Sequence, residues 1–212
     1  MNDGPEPQAG FPRRLSKGRA FVYVIPCRDD TRFKIGFARD PIERWRTLHA
    51  RFFAYFDLGR GLLLEVPRVS EARAIEQQLL AEFRAFEAFA PLDVAPTAGG
   101  SSEWLRGVLD EVVSGAVALA QARGLVVHRP ARAWLHAHLL ERRDLLFDWS
   151  VRMLEQIEYE REHPADLSSP ARAVGMLQDT LDAYATVGID LTGHVPEAVL
   201  RWQAQNGCSG PG

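Results

Sequence analysis

FVYVIPCRDDTRFKIGFARDPIERW, residues Phe21 to Trp45, contains two short apolar runs, a polar connection and an abrupt helix start. Phe21 to Ile25 is β-branched and aromatic throughout, too short for a helix, and stops at Pro26. Arg32 to Phe37 alternates in character and carries Gly36 near its end. With Cys27 to Thr31 as the connection, the two runs predict a β-hairpin. Asp40-Pro41 then supplies an N-cap residue and a proline at the first helical position, and Ile42, Trp45 and Leu48 follow at helical spacing. A helix is expected from Pro41 to about Ala50.

Working outward, Gly61 to Val66 is a continuous apolar run bounded by Gly59 and Pro67, which suits a buried third strand. Ser70 opens a helix with Ala72, Ile75, Leu79, Leu80 and Phe83 on its inward face, and Glu76 stands beside that face. Pro91 to Gly100 reads as a loop, after which Ser101 and Ser102 cap a helix that runs through Glu103, Trp104 and Leu105 to Arg123 and stops at Gly124. Arg132 to about Glu162 predicts one long helix with a broad apolar stripe, and Ala171 to about Val187 and Pro196 to about Gln205 predict two more. The expected class is α+β: a small antiparallel three-stranded sheet flanked by helices, followed by an all-helical C-terminal region. The expected organisation is a flexible tail over 1–19, the α+β domain over 20–125, a helical accessory region over 126–206 and a flexible tail over 207–212.

A chain of 212 residues with 46% hydrophobic content can bury one good core plus an extension. Its net charge of −3 does not announce nucleic acid as a partner of the whole chain, as a histone-like charge would, so any basic surface must be local. Phe11 to Arg60 holds twelve cations against five carboxylates, whereas the residues after Leu125 hold eight arginines against twelve carboxylates. The two halves therefore have different electrostatic tasks. Cys27 and Cys208 match no metal-ligand spacing, and the start of the chain has no signal-like apolar core, so a reducing cytoplasm is expected. No apolar run is long enough to span a membrane. The six histidines form no convincing ligand set, since His136 and His138 diverge on a helix.

Tyr23, Arg44 and Glu76 are polar groups on three elements that should pack together. An arginine in the first turn of a helix is opposed by the helix dipole, so something other than local stability selects Arg44. Tyr23-Val24-Ile25, Lys34-Ile35-Gly36, Arg44 eight residues after that glycine, and Ala74-Ile75-Glu76 in a later helix together resemble the GIY-YIG nuclease superfamily. The similarity is to its phage-associated branch, whose second motif often reads KIG and whose next helix opens with Asp-Pro. Ser102-Glu103-Trp104-Leu105 is similar to the acidic-aromatic segment closing the core domain there. The resemblance spans Ala20 to about Val113.

The resemblance implies Mg²⁺-dependent (or Mn²⁺-dependent) endonucleolytic hydrolysis of nucleic-acid phosphodiesters, with DNA as the expected polymer. It implies that Tyr23 orients or deprotonates the attacking water, that Arg44 holds the phosphate, and that Glu76 holds the metal. The second-motif tyrosine is replaced by Lys34, whose ammonium could serve as a phosphate clamp, or as a base if its pKa were depressed. Lys34, Arg39, Arg44 and Arg46 are the expected nucleic-acid contacts, and Tyr23, Lys34, Arg44 and Glu76 the catalytic set. Two other readings stay open: a non-cleaving nucleic-acid-binding module, and an adaptor working through the C-terminal helices. Residues 126–206, with their acidic stretch Glu155, Glu158, Glu160 and Glu162, are expected to serve homodimerisation or a protein partner.

Overall fold

The structure, a computed structural model, describes residues 18–94, 103–163 and 171–206. The expected tails, Cys208 and the Ser101-Ser102 cap lie outside those residues. The chain divides into two compact units, with the boundary between His138 and Leu139.

The first unit is built on six antiparallel strands in the order β4-β5-β2-β1-β3-β6. β1 (Ala20–Pro26) and β2 (Arg32–Ala38) form the expected hairpin, with Tyr23 directly opposite Gly36. β3 (Leu62–Val66) pairs with β1 on its other side. Leu62, Leu63 and Leu64 are all fully buried, because this strand is covered on both faces. Three further short strands extend the sheet beyond the three that periodicity predicts: β4 (Glu87–Ala88), β5 (Trp104–Arg106) and β6 (Val126–His128). Each has two or three residues, too few for an alternation to register.

β5 corrects the helix expected across Glu103-Trp104-Leu105. Trp104 and Leu105 are both fully buried. Leu105 joins the main apolar core, while Trp104 lies beneath the Lys34 ammonium. Adjacent residues entering opposite layers is a strand property, since Cβ direction alternates. Gly107, at φ 82°, turns the chain so that the helix starts only at Leu109.

α1 (Pro41–Leu48) begins as the sequence predicts, with the Asp40 carboxylate accepting from the Glu43 N–H at 3.1 Å. α2 (Phe52–Tyr55) is a single turn. α3 (Val69–Glu82) and α4 (Leu109–Arg123) cover one sheet face, where Val22, Val24, Ile35, Leu64, Ile75 and Val112 share one core. α4 ends at Gly124 in the left-handed conformation, φ 64°. On the opposite face Phe21 packs edge-on to Trp134, and Trp45 meets Tyr23, Phe52 and Trp134 at ring distances near 6 Å.

The long helix expected from Arg132 to Glu162 is two helices, α5 (Ala131–Leu140) and α6 (Arg143–Glu162), separated by Glu141 and Arg142. The break contains neither proline nor glycine, so the apolar stripe runs through it unmarked. α5 starts against the sheet unit, its Ala131 N–H donating to the Gly61 carbonyl at 2.8 Å. The second unit contains α6, α7 (Ala171–Thr186) and α8 (Glu197–Asn206), with Leu146, Leu177, Leu181 and Val199 among its buried residues. Among the described residues no helix is long and apolar enough to cross a membrane.

Candidate active site

Tyr23 stands in the middle of β1, where alternation turns it away from the Val22 and Val24 core. Its ring lies across Gly36. A Cβ added at Gly36 would collide with the Tyr23 hydroxyl and ring, with Cε2 at 2.9 Å. The glycine of Lys34-Ile35-Gly36 is thus a space requirement: the phenol occupies the place of a side chain.

The Arg44 guanidinium lies near enough to the Tyr23 phenol to pull its pKa down, and it donates to the Thr47 hydroxyl at 3.3 Å. Burial raises the Tyr23 pKa well above the ordinary phenol range, against the opposing pull of Arg44. At neutral pH Tyr23 is a phenol, able to donate a hydrogen bond and unsuited to take a proton.

Lys34 is fully buried, and its Nζ donates to Glu103 Oε2 at 2.7 Å. It also lies 5.3 Å from the Trp104 ring centre. Burial pulls its ammonium below the usual lysine range, while Glu103 opposes that shift. Where the expectation was a phosphate clamp or a base, the ammonium is covered and directed at a carboxylate of its own chain.

Glu76 is 6% exposed rather than a helix-surface carboxylate. Its pKa is pushed up to about 7, first by burial and then by the negative charge of Glu103, against Lys34, Arg73 and Arg44. It makes no hydrogen bond or ion pair with the described residues. Tyr23, Lys34, Arg44, Glu76 and Glu103 therefore form one electrostatically connected group drawn from β1, β2, α1, α3 and the entry to β5. Perturbed titratable groups gathered in this way mark candidate sites.

Arg39 is exposed, and Arg46 pairs with Glu43 at 3.4 Å. Glu103 is the member that reading for catalytic residues passed over; its signal was the acidic-aromatic step Glu103-Trp104, obscured by the expected serine-capped helix. Among the described residues no three His, Cys, Asp or Glu side chains gather closely enough to form a metal cluster. A hard cation such as Mg²⁺ needs fewer protein ligands, because water and phosphate oxygens complete its shell. Glu76, a buried carboxylate without a hydrogen-bonding partner, has the donor chemistry for it. No protein-family model, curated protein or solved structure matches this chain.

Proposed function

We propose that the sheet unit is a Mg²⁺-dependent phosphodiester hydrolase of GIY-YIG type, acting as an endonuclease on nucleic acid, with DNA as the first substrate to test. The observation that carries this reading is the meeting of Tyr23, Arg44 and Glu76 from three separate elements beside a glycine that leaves room for the phenol. Arg44, half-buried, supplies a guanidinium to a phosphate oxygen and offsets the charge that builds there. Tyr23, held as a phenol, orients the attacking water by hydrogen bonding. Glu76 holds the divalent cation, which when bound polarises the phosphate and stabilises the leaving 3′ oxygen.

The test is incubation of the full chain with plasmid and short single-stranded substrates in Mg²⁺, Mn²⁺ or chelator. Cleavage that needs the metal and disappears in Glu76→Ala supports the reading; cleavage that survives chelator or that substitution removes it. A second reading, a non-cleaving nucleic-acid-binding module, is favoured by one observation: the place of the second tyrosine is filled by a covered lysine tied to Glu103. Salt-sensitive binding without cleavage would select it. The C-terminal helices supply a docking role in either case, as a homodimer contact or a protein-partner surface, because α6 leaves Leu145, Phe147 and Tyr159 exposed.

A further inference from the structure

We infer that Glu103 is a second oxygen ligand of the cation site, placed beside Glu76, and that Lys34 is the pin that holds Glu103 there. The inference rests on the nuclease reading for the identity of the cation, and it assigns Lys34 a role inside the protein instead of on the nucleic acid.

The Glu103 segment is fixed at both side chain and backbone. Its Oε2 receives the Lys34 ammonium at 2.7 Å, and its carbonyl accepts the Ile35 N–H at 3.1 Å. The lysine is in turn covered by the protein and packed over Trp104. Glu103 itself remains open, with 28% of its side chain accessible, and Oε1 takes no hydrogen bond from the described residues. Glu76 stands within its electric field, nine-tenths buried and with neither a hydrogen bond nor an ion pair among the described residues.

A largely buried carboxylate without a protein donor is costly, and the negative charge of Glu103 adds repulsion. A cation between the two removes both penalties. Oxygen donors alone select a hard ion, Mg²⁺ or Mn²⁺, over thiolate- and imidazole-seeking metals.

The test is Mn²⁺ binding to the full chain, read from the loss of the free-ion electron paramagnetic resonance signal, with circular dichroism confirming that each variant is folded. The wild type should bind one Mn²⁺, and Glu103→Gln should weaken it by about tenfold or more. Glu103→Gln combined with Lys34→Met removes the buried ammonium together with its carboxylate and keeps the net charge of the pair, so it should fold and still lose the same affinity. Wild-type affinity in the double variant, or no Mn²⁺ binding by the wild type, would overturn the inference. Binding lost in both variants of a protein that cuts no nucleic acid would uphold this inference while removing the nuclease reading. Cleavage lost in Glu76→Ala, with Mn²⁺ affinity unchanged in Glu103→Gln, would do the reverse.

Discussion

On one face of the sheet Val22, Val24, Phe33, Ile35, Leu62 and Leu64 pack with α3 and α4 in an apolar core. On the other, Tyr23, Lys34 and Gly36 from the same strands meet Trp45 and Trp104. The strands are shared and only residue parity differs, because successive side chains leave a strand on opposite sides. The apolar face is where burial stabilises the unit. The polar face carries an ammonium and a phenol that burial penalises, as the lowered Lys34 and raised Tyr23 pKa values record, and burial likewise raises the pKa of Glu76 on α3. A surface kept at such a cost is where function is to be sought.

The sharpest way to test this contrast is to damage each face separately. Leu64→Ala, on the apolar face, should lower the unfolding free energy in urea by about 2–5 kcal/mol, since it opens a cavity in a fully buried strand. On the polar face, Glu103→Gln should cost about 2–3 kcal/mol by leaving the buried Lys34 ammonium without its countercharge. Adding Lys34→Met should return stability to within about 1 kcal/mol of wild type, because the pair as a whole adds little. If the single and double variants were equally unstable, the pair would be part of the stabilising core, and the contrast between the faces would fail.

Acidity offers a gentler probe. The Glu76 pKa rises from 4.5 to about 7 on folding, so the folded protein binds the extra proton between those values. Its contribution is fully present below about pH 4.5 and is lost as pH rises through about 7. Without divalent cation, wild-type stability should therefore fall across that window by at most about 3 kcal/mol relative to Glu76→Gln. Chemical unfolding of both proteins from pH 4.5 to 8 measures it. Equal slopes would mean that Glu76 is solvated like a surface carboxylate.

The smallest effect should come from Gly36→Ala. The new Cβ meets the Tyr23 ring, so overpacking should cost about 1–3 kcal/mol. In a Tyr23→Val background the collision is removed, and the same substitution should be nearly neutral. A double-mutant cycle without coupling would show that Gly36 is required by the strand and not by the phenol.

The elements that local chemistry specifies strongly were legible in the sequence. The hairpin follows from two β-branched runs around Cys27 to Thr31, and α1 from Asp40-Pro41; α4 ends at Gly124, where only glycine enters the left-handed region cheaply. Tyr23, Arg44 and Glu76 were singled out through a resemblance, and in the fold Arg44 and Glu76 both act on the charge state of Tyr23, and Arg44 on that of Glu76. The extra strands were not, because two or three residues become strands only when a neighbouring edge supplies hydrogen bonds. The interruption at Glu141 and Arg142 was hidden for a related reason: the helical period continues through it without a breaker residue.

Lys34 and Glu103 show where the division falls. Sequence alone determined that a lysine stands at position 34 and that a glycine follows two residues later, and with them the alternation that sends Tyr23 and Val24 to opposite faces. Only the tertiary structure decided that the lysine is covered, that its partner is a carboxylate 69 residues away, and that Glu76 is buried. Periodicity is a property of neighbouring residues. The fate of a charge depends on what the rest of the chain brings within a few ångströms of it, and the pairing of β2 with β5 brings Glu103 to Lys34.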